Sequence, residues 1–177
     1  MDKRYFVIES GPVLTALDAV IAARAAAWDE IKAYCAEIGA QEVAVADSAS
    51  DGYSRRVVSF IFSEPPGKGW RPENSGNGYK PDRRYKAGRQ VIERLSELRI
   101  PGFSPVFDAA GIENRLLVEG RYVYWPQAGK VAGIWVLIVP CNMEHPYIPA
   151  DGLRELMLPE WYELLAEHER QKAQEAA

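Results

Sequence analysis

Between residues 12 and 38 the apolar positions Leu14, Leu17, Ile21, Trp28, Ile31, Cys35 and Ile38 recur at intervals of three, four or seven. That period lines one face of a helix. Ser10 ahead of Gly11-Pro12, and Thr15 paired with Asp18, are competing starts for it, and Gly39 is its stop. The alanines at 22, 23 and 25–27 favour helix and permit close packing. Shorter patterns flank this helix. Tyr5–Glu9 is aromatic and β-branched, a strand. Val43 and Val45 alternate with smaller residues, and Val58, Phe60 and Phe62 alternate with Val57 and Ile61 on the opposite face, two strands around a turn at Asp51-Gly52.

Helical period returns over residues 82–99, with Tyr85, Val91 or Ile92, Leu95 and Leu98 on the inner face and Asp82 as N-cap after Pro81. Gly88 weakens the first turns by about 1 kcal/mol relative to Ala, so the helix starts later or something approaches its backbone there. Residues 100–114 are loop with one short helical turn. Over 116–139, Leu117, Glu119, Arg121, Val123 and Trp125 alternate with Leu116, Val118, Tyr122 and Tyr124, and a second hairpin turns through residues 126–130. Val131–Val139 is apolar on both faces, as a covered central strand is. Residues 151–177 are helical in two pieces, the second opened by Pro159, with a polar end that frays after about residue 170.

The expected order is β-α-β-β-α-β-β-α. It implies a single α+β domain over 1–177, with an antiparallel sheet of four to five strands made from two hairpins and about three helices, mostly on one face. A hydrophobic fraction of 47%, with five Trp, nine Tyr and five Phe, supplies a core and excludes a disordered chain. The most apolar run, residues 131–140, is about half the length of a membrane span, and MDKRYFVIES has no apolar leader region. Cys35 and Cys141 lie far apart and form no disulfide framework, so both are expected to be reduced and buried. These features predict a cytoplasmic protein without a membrane partner.

Charge changes this picture. The net charge is −4, yet residues 67–89, GKGWRPENSGNGYKPDRRYKAGR, carry seven basic residues against Glu73 and Asp82. The segment is +5 and the rest of the chain −9. Such segregation bears on partners rather than on fold. The basic Gly/Pro/aromatic segment 63–89 therefore reads as a long loop presenting Lys68, Trp70, Arg71, Tyr79, Lys80, Arg83, Arg84 and Lys86. It lacks a phosphate-loop or dinucleotide fingerprint. Gly-rich backbone, Arg forks and exposed rings suit an acidic protein surface, a nucleotide or single-stranded nucleic acid, and a solvated loop is the plain alternative. Net acidity weighs against duplex DNA. Trp70 and Arg71 make the best anchor pair for a protein partner.

Other candidates are weaker. Cys141, Glu144 and His145 follow the central strand and could in principle form a nucleophile and acid–base set, although a turn at His145-Pro146 explains them equally. Two Cys and two His without metal-ligand spacing predict no metal and no cofactor. Glu155, Glu160, Glu163, Glu167 and Glu169 read as a solvated face, or as counter-ions to Arg83, Arg84 or Arg89. Trp125 could share a patch with Trp70. The sequence sets no oligomeric state.

The run from Pro65 to Leu98 resembles small uncharacterised proteins encoded by phages and prophages. The resemblance rests on Gly69-Trp70-Arg71, on Gly78-Tyr79, and on Lys86-Ala87-Gly88-Arg89 opening a helix, and it covers about a fifth of the chain. It implies a mobile-element context, in which small acidic proteins often bind host machinery, defence complexes included; the expectation is a non-enzymatic binding protein acting on a host protein or complex through the basic aromatic loop. The alternatives are a nucleotide-like small-molecule binder or enzyme using the same loop with His145 as acid or base, and single-stranded nucleic acid binding.

Overall fold

The computed structural model describes residues 3–46, 54–74, 76–112, 116–118, 121–124, 126–140 and 147–176, with the backbone course alone at 116–118 and 121–124. In chain order the elements are β1 (Lys3–Ile8), α1 (Gly11–Glu37), β2 (Glu42–Ala46), β3 (Arg55–Ile61), β4 (Trp70–Pro72), β5 (Tyr79–Pro81), α2 (Lys86–Glu97), β6 (Arg99–Ile100), α3 (Ser104–Ala109), β7 (Leu116–Val118), β8 (Arg121–Tyr124), β9 (Gln127–Val131), β10 (Ile134–Pro140), β11 (Leu153–Leu156) and α4 (Leu158–Glu175). The fold is α+β, with antiparallel sheets. By contacts the described residues form two compact units, those within 3–20 and 103–176, and those within 21–46 and 54–102.

In the first unit the sheet order is β11-β1-β10-β9. Alternation along β1 and β10 sends Val7 and Val136 to a cluster completed by Leu156 and Trp161. Trp161 of α4 stacks on Tyr5, ring centroids 4.1 Å apart. Phe6 and Leu137, the intervening positions, are also fully buried. The central strands are therefore covered on both faces, as the unbroken apolar run of β10 requires.

Three sequence expectations change here. The turn into β10 is Ala132-Gly133, not residues 126–130. Both residues have positive φ, 46° and 81°, the backbone of a two-residue type I′ hairpin. Residues 116–139 consequently make two hairpins rather than one. The first piece of the expected C-terminal helix is instead β11, paired with β1 from Tyr5↔Leu156 to Ile8↔Leu153. Its four residues are too few to show a period. Helix α4 then runs from Leu158 to Glu175.

In the second unit the order is β2-β3-β5-β4, with β6 on the far end of β3. Ile31, Tyr34 and Cys35 of α1, Val57 and Phe60 of β3, Val91 of α2 and Leu98 at its C-cap share its core with Ile100. The pairing of β2 with β3 slips between Ala44 and Val45, opposite Ser59 and Val57, which leaves Val58 as an extra residue. A bulge reverses facing beyond it. Val57 thus joins Phe60 in the core while Val58 is half-buried, which overturns the simple alternation expected of this strand. Helix α1 starts at Gly11, so the Ser10-Gly11-Pro12 start holds rather than the Thr15 box. Gly39 (φ 72°) ends it: its N–H donates to Ala36 and that of Ala40 to Cys35, a Schellman closure. The Asp51-Gly52 turn lies outside the described residues.

Candidate functional site

The basic segment is an ordered hairpin followed by a helix rather than one long loop. Strand β4 pairs with β5 from Trp70↔Pro81 to Pro72↔Tyr79, and β5 joins β3 at Phe60↔Tyr79. Trp70 and Tyr79 are half-buried. Trp70 meets Phe60 and Phe62 edge-on at 5.6 and 4.9 Å, and Tyr79 meets Phe62 at 6.0 Å. These rings fasten the hairpin to the core of its unit, which leaves less of them to offer a ligand.

Glycines let the main chain come close at two points. A Cβ on Gly78 would lie 2.8 Å from Ser59 Oγ. The Ser59 hydroxyl is fully buried and makes no hydrogen bond of good geometry among the described residues. It lies near enough to Glu73 to help hold that carboxyl below its usual range, behind the larger effect of Lys80, whose ammonium is 2.5 Å from Glu73 Oε1. At the start of α2, a Cβ on Gly88 would lie 2.1 Å from the Asp82 carbonyl oxygen and 2.7 Å from that of Gly69. Gly69 has φ 112°, and its carbonyl accepts the Asp82 N–H at 2.6 Å. What approaches the helix at Gly88 is therefore the chain's own main chain.

Asp82 is not the N-cap of α2. That position is Tyr85, without a side-chain cap. The Asp82 carboxylate, 4% exposed as a residue, instead accepts the Arg84 N–H at 3.0 Å, an Asx turn. It also accepts Nε at 3.0 Å and Nη2 at 2.6 Å. The Arg84 hydrogen bonds hold the Asp82 carboxyl down at about 2 against desolvation, with Arg71 adding a smaller electrostatic pull. Arg84 remains largely exposed beyond this grip. Arg71, Pro81, Asp82, Arg83, Arg84 and Ile92 line one open concavity of about 710 Å³.

The eight candidate binding residues thus separate by role. Trp70 and Tyr79 pack, Lys80 pairs with Glu73, and Arg84 pairs with Asp82. Lys68, Arg71, Arg83 and Lys86 are exposed, and no ion pair is found for them among the described residues. Arg71 and Arg83 meet at the concavity with Arg84, while Lys68 and Lys86 adjoin the Gly69–Ala87/Gly88 contact. Asp82 and Ile92 were missed as members of the site. The Asp-x-Arg spacing was the available signal for Asp82, and nothing in the sequence chose Ile92 as the outward member of its pair with Val91.

The other candidates are placed elsewhere. Cys141, Glu144, His145 and Trp125 lie outside the described residues. Cys35 is buried and reduced, its thiol pushed up by desolvation. Four of the five carboxylates on and before α4 have an ion-pair partner within their own unit. Glu155 binds Arg4, Glu160 binds Arg154, Glu167 binds Arg170 and Glu169 binds Lys172. His168 of α4 accepts the Ala132 N–H through Nδ1 at 3.2 Å and so steadies the β9–β10 turn. Among the described residues no cluster of three or more His, Cys, Asp or Glu could hold a metal ion. None of their helices is long and apolar enough to cross a membrane.

No family model, curated protein or solved structure matches the chain.

Proposed function

We propose that this is a binding protein whose contact surface is the cationic face of the β4–β5 hairpin and the start of α2, directed at an acidic surface of a protein partner. One observation carries this reading. Lys68, Arg71, Arg83 and Lys86 stand exposed without an ion pair among the described residues, gathered on one segment of a chain that is acidic elsewhere. Unmatched charge on an ordered scaffold gives orientation and fast encounter with a surface of opposite sign. With the resemblance to phage-encoded proteins, the proposed partner is a host protein or complex, defence complexes included. Catalysis is no part of this reading.

The test is affinity capture from bacterial lysate, comparing wild type with the Lys68→Glu/Arg71→Glu/Arg83→Glu variant. All three side chains are exposed, so the variant should melt as wild type does. A protein partner retained by wild type and lost by the folded variant is the expected result. Identical eluates would remove this face from the binding function.

A further inference from the structure

We propose that the concavity between Arg71, Arg83 and Arg84 is a phosphoryl pocket, taking the phosphate group of a phosphorylated side chain on the partner. This rests on the cationic face being the contact surface.

The pocket is built rather than incidental. Its floor holds a buried carboxylate, Asp82, which engages Arg84 through Nε and Nη2. That grip leaves Nη1 as the uncommitted end of a largely exposed guanidinium. Held this way, Arg84 gives up less rotamer freedom when it meets an anion. Arg71 and Arg83 line the same space, and neither has an ion pair among the described residues. With Asp82 counted, the lining carries a net charge of +2 from three guanidinium groups and one carboxylate.

That balance selects the ligand. A single carboxylate is satisfied by one guanidinium fork. A phosphate monoester carries about two negative charges and three terminal oxygens, so it can engage several forks at once. The remaining lining, Pro81 and Ile92, is aliphatic. Among the described residues that line it there is no ring on which a nucleobase could stack, and Trp70 is turned toward Phe60 and Phe62. Ile92, 40% exposed, is instead placed to touch an apolar neighbour of the phosphorylated residue.

The experiment titrates the full chain with sodium phosphate against sodium chloride at matched ionic strength and pH, following the backbone amide shifts of residues 71 and 82–86. Saturable millimolar binding is expected, weakened about tenfold or more in Arg71→Gln/Arg83→Gln because two charge-assisted forks are lost. Asp82→Asn should also weaken it, although that variant carries one negative charge fewer, because Arg84 is no longer held. If Asp82→Asn does not fold, Arg84→Gln replaces it, with about tenfold weaker binding expected. Linear, non-saturating shifts, wild-type affinity in the double variant, or tighter binding in Asp82→Asn would each overturn the pocket. A second arm compares a short phosphoserine peptide with adenosine monophosphate. The peptide should bind at least as tightly as phosphate, and a preference for the nucleotide would defeat the assignment to a protein side chain. Charge-dependent capture of a partner without phosphate saturation would sink the pocket and leave the contact surface standing.

Discussion

Two residues of the site can be weighed one atom at a time. In an exposed helix, Gly88→Ala would add about 1 kcal/mol of stability through helix propensity. Here the new Cβ falls 2.1 Å from one main-chain oxygen and 2.7 Å from another. Main chain cannot rotate aside, and forced overpacking costs about 1–3 kcal/mol or more. The clash outweighs propensity, so the urea midpoint of Gly88→Ala should fall, the unfolding free energy dropping by about 2 kcal/mol at the upper end of that range less the helix gain. A midpoint at or above wild type would refute the contact. Asp82 makes a prediction about pH. Its folded-state pKa of about 2 lies below the ordinary value, so folding favours the ionised form. The stabilisation is fully present above the unfolded pKa of about 4 and disappears as pH falls through about 2. Melting curves of wild type and Asp82→Asn should therefore differ by a constant amount at neutral pH and converge across that acid window. A gap that persists to the bottom of the window would mean the carboxylate acts through shape rather than charge.

Among elements, the β4–β5 hairpin decides how the basic segment works. Three-residue strands have little stability of their own, so Trp70 fastens the hairpin by packing on Phe60 and Phe62. Trp70→Ala should cost about 2 kcal/mol, less than a fully buried Trp because the ring is half-exposed. Arg71→Ala should stay within about 0.5 kcal/mol of wild type. Equal stabilities for the two variants, measured by denaturant unfolding, would show that Trp70 is not the fastener. Periodicity revealed α1, α2, β1, β3 and β10, because each is long enough to repeat its pattern. It missed β4, β5, β6 and β11, because two to four residues hold no period, and it took β9 for a turn because Gln127, Gly129 and Lys130 leave it no apolar alternation. It also misjudged the inner face of β3, where the bulge at Val58 depends on pairing with β2. Within the site, the charge excess was legible, since charge is a property of composition. The assignment of Lys80 to Glu73 was not, since it depends on which residues the hairpin brings together, whereas the pairing of Arg84 with Asp82 is local and its Asp-x-Arg spacing went unread.

For the whole molecule, the segregation of +5 on residues 67–89 against −9 elsewhere predicts how capture responds to salt. Exposed charges are screened beyond about 10 Å at 0.1 M ionic strength and beyond about 3 Å at 1 M. Partner capture through the cationic face should weaken steadily over that interval. Retention indifferent to salt would point to an apolar interface elsewhere. The seam between hairpin and helix has a separate consequence for how such a protein can change. Gly69, Asp82 and Gly88 meet through carbonyls, amides and missing side chains, whereas Lys68, Arg71, Arg83 and Lys86 point away into solvent. Cohesion and recognition are thus written in different positions. In a saturation library selected for folding alone, position 88 should return glycine and positions 68, 71, 83 and 86 almost anything. A lineage pressed to follow a changing target could rewrite its contact face one residue at a time without ever passing through an unfolded ancestor.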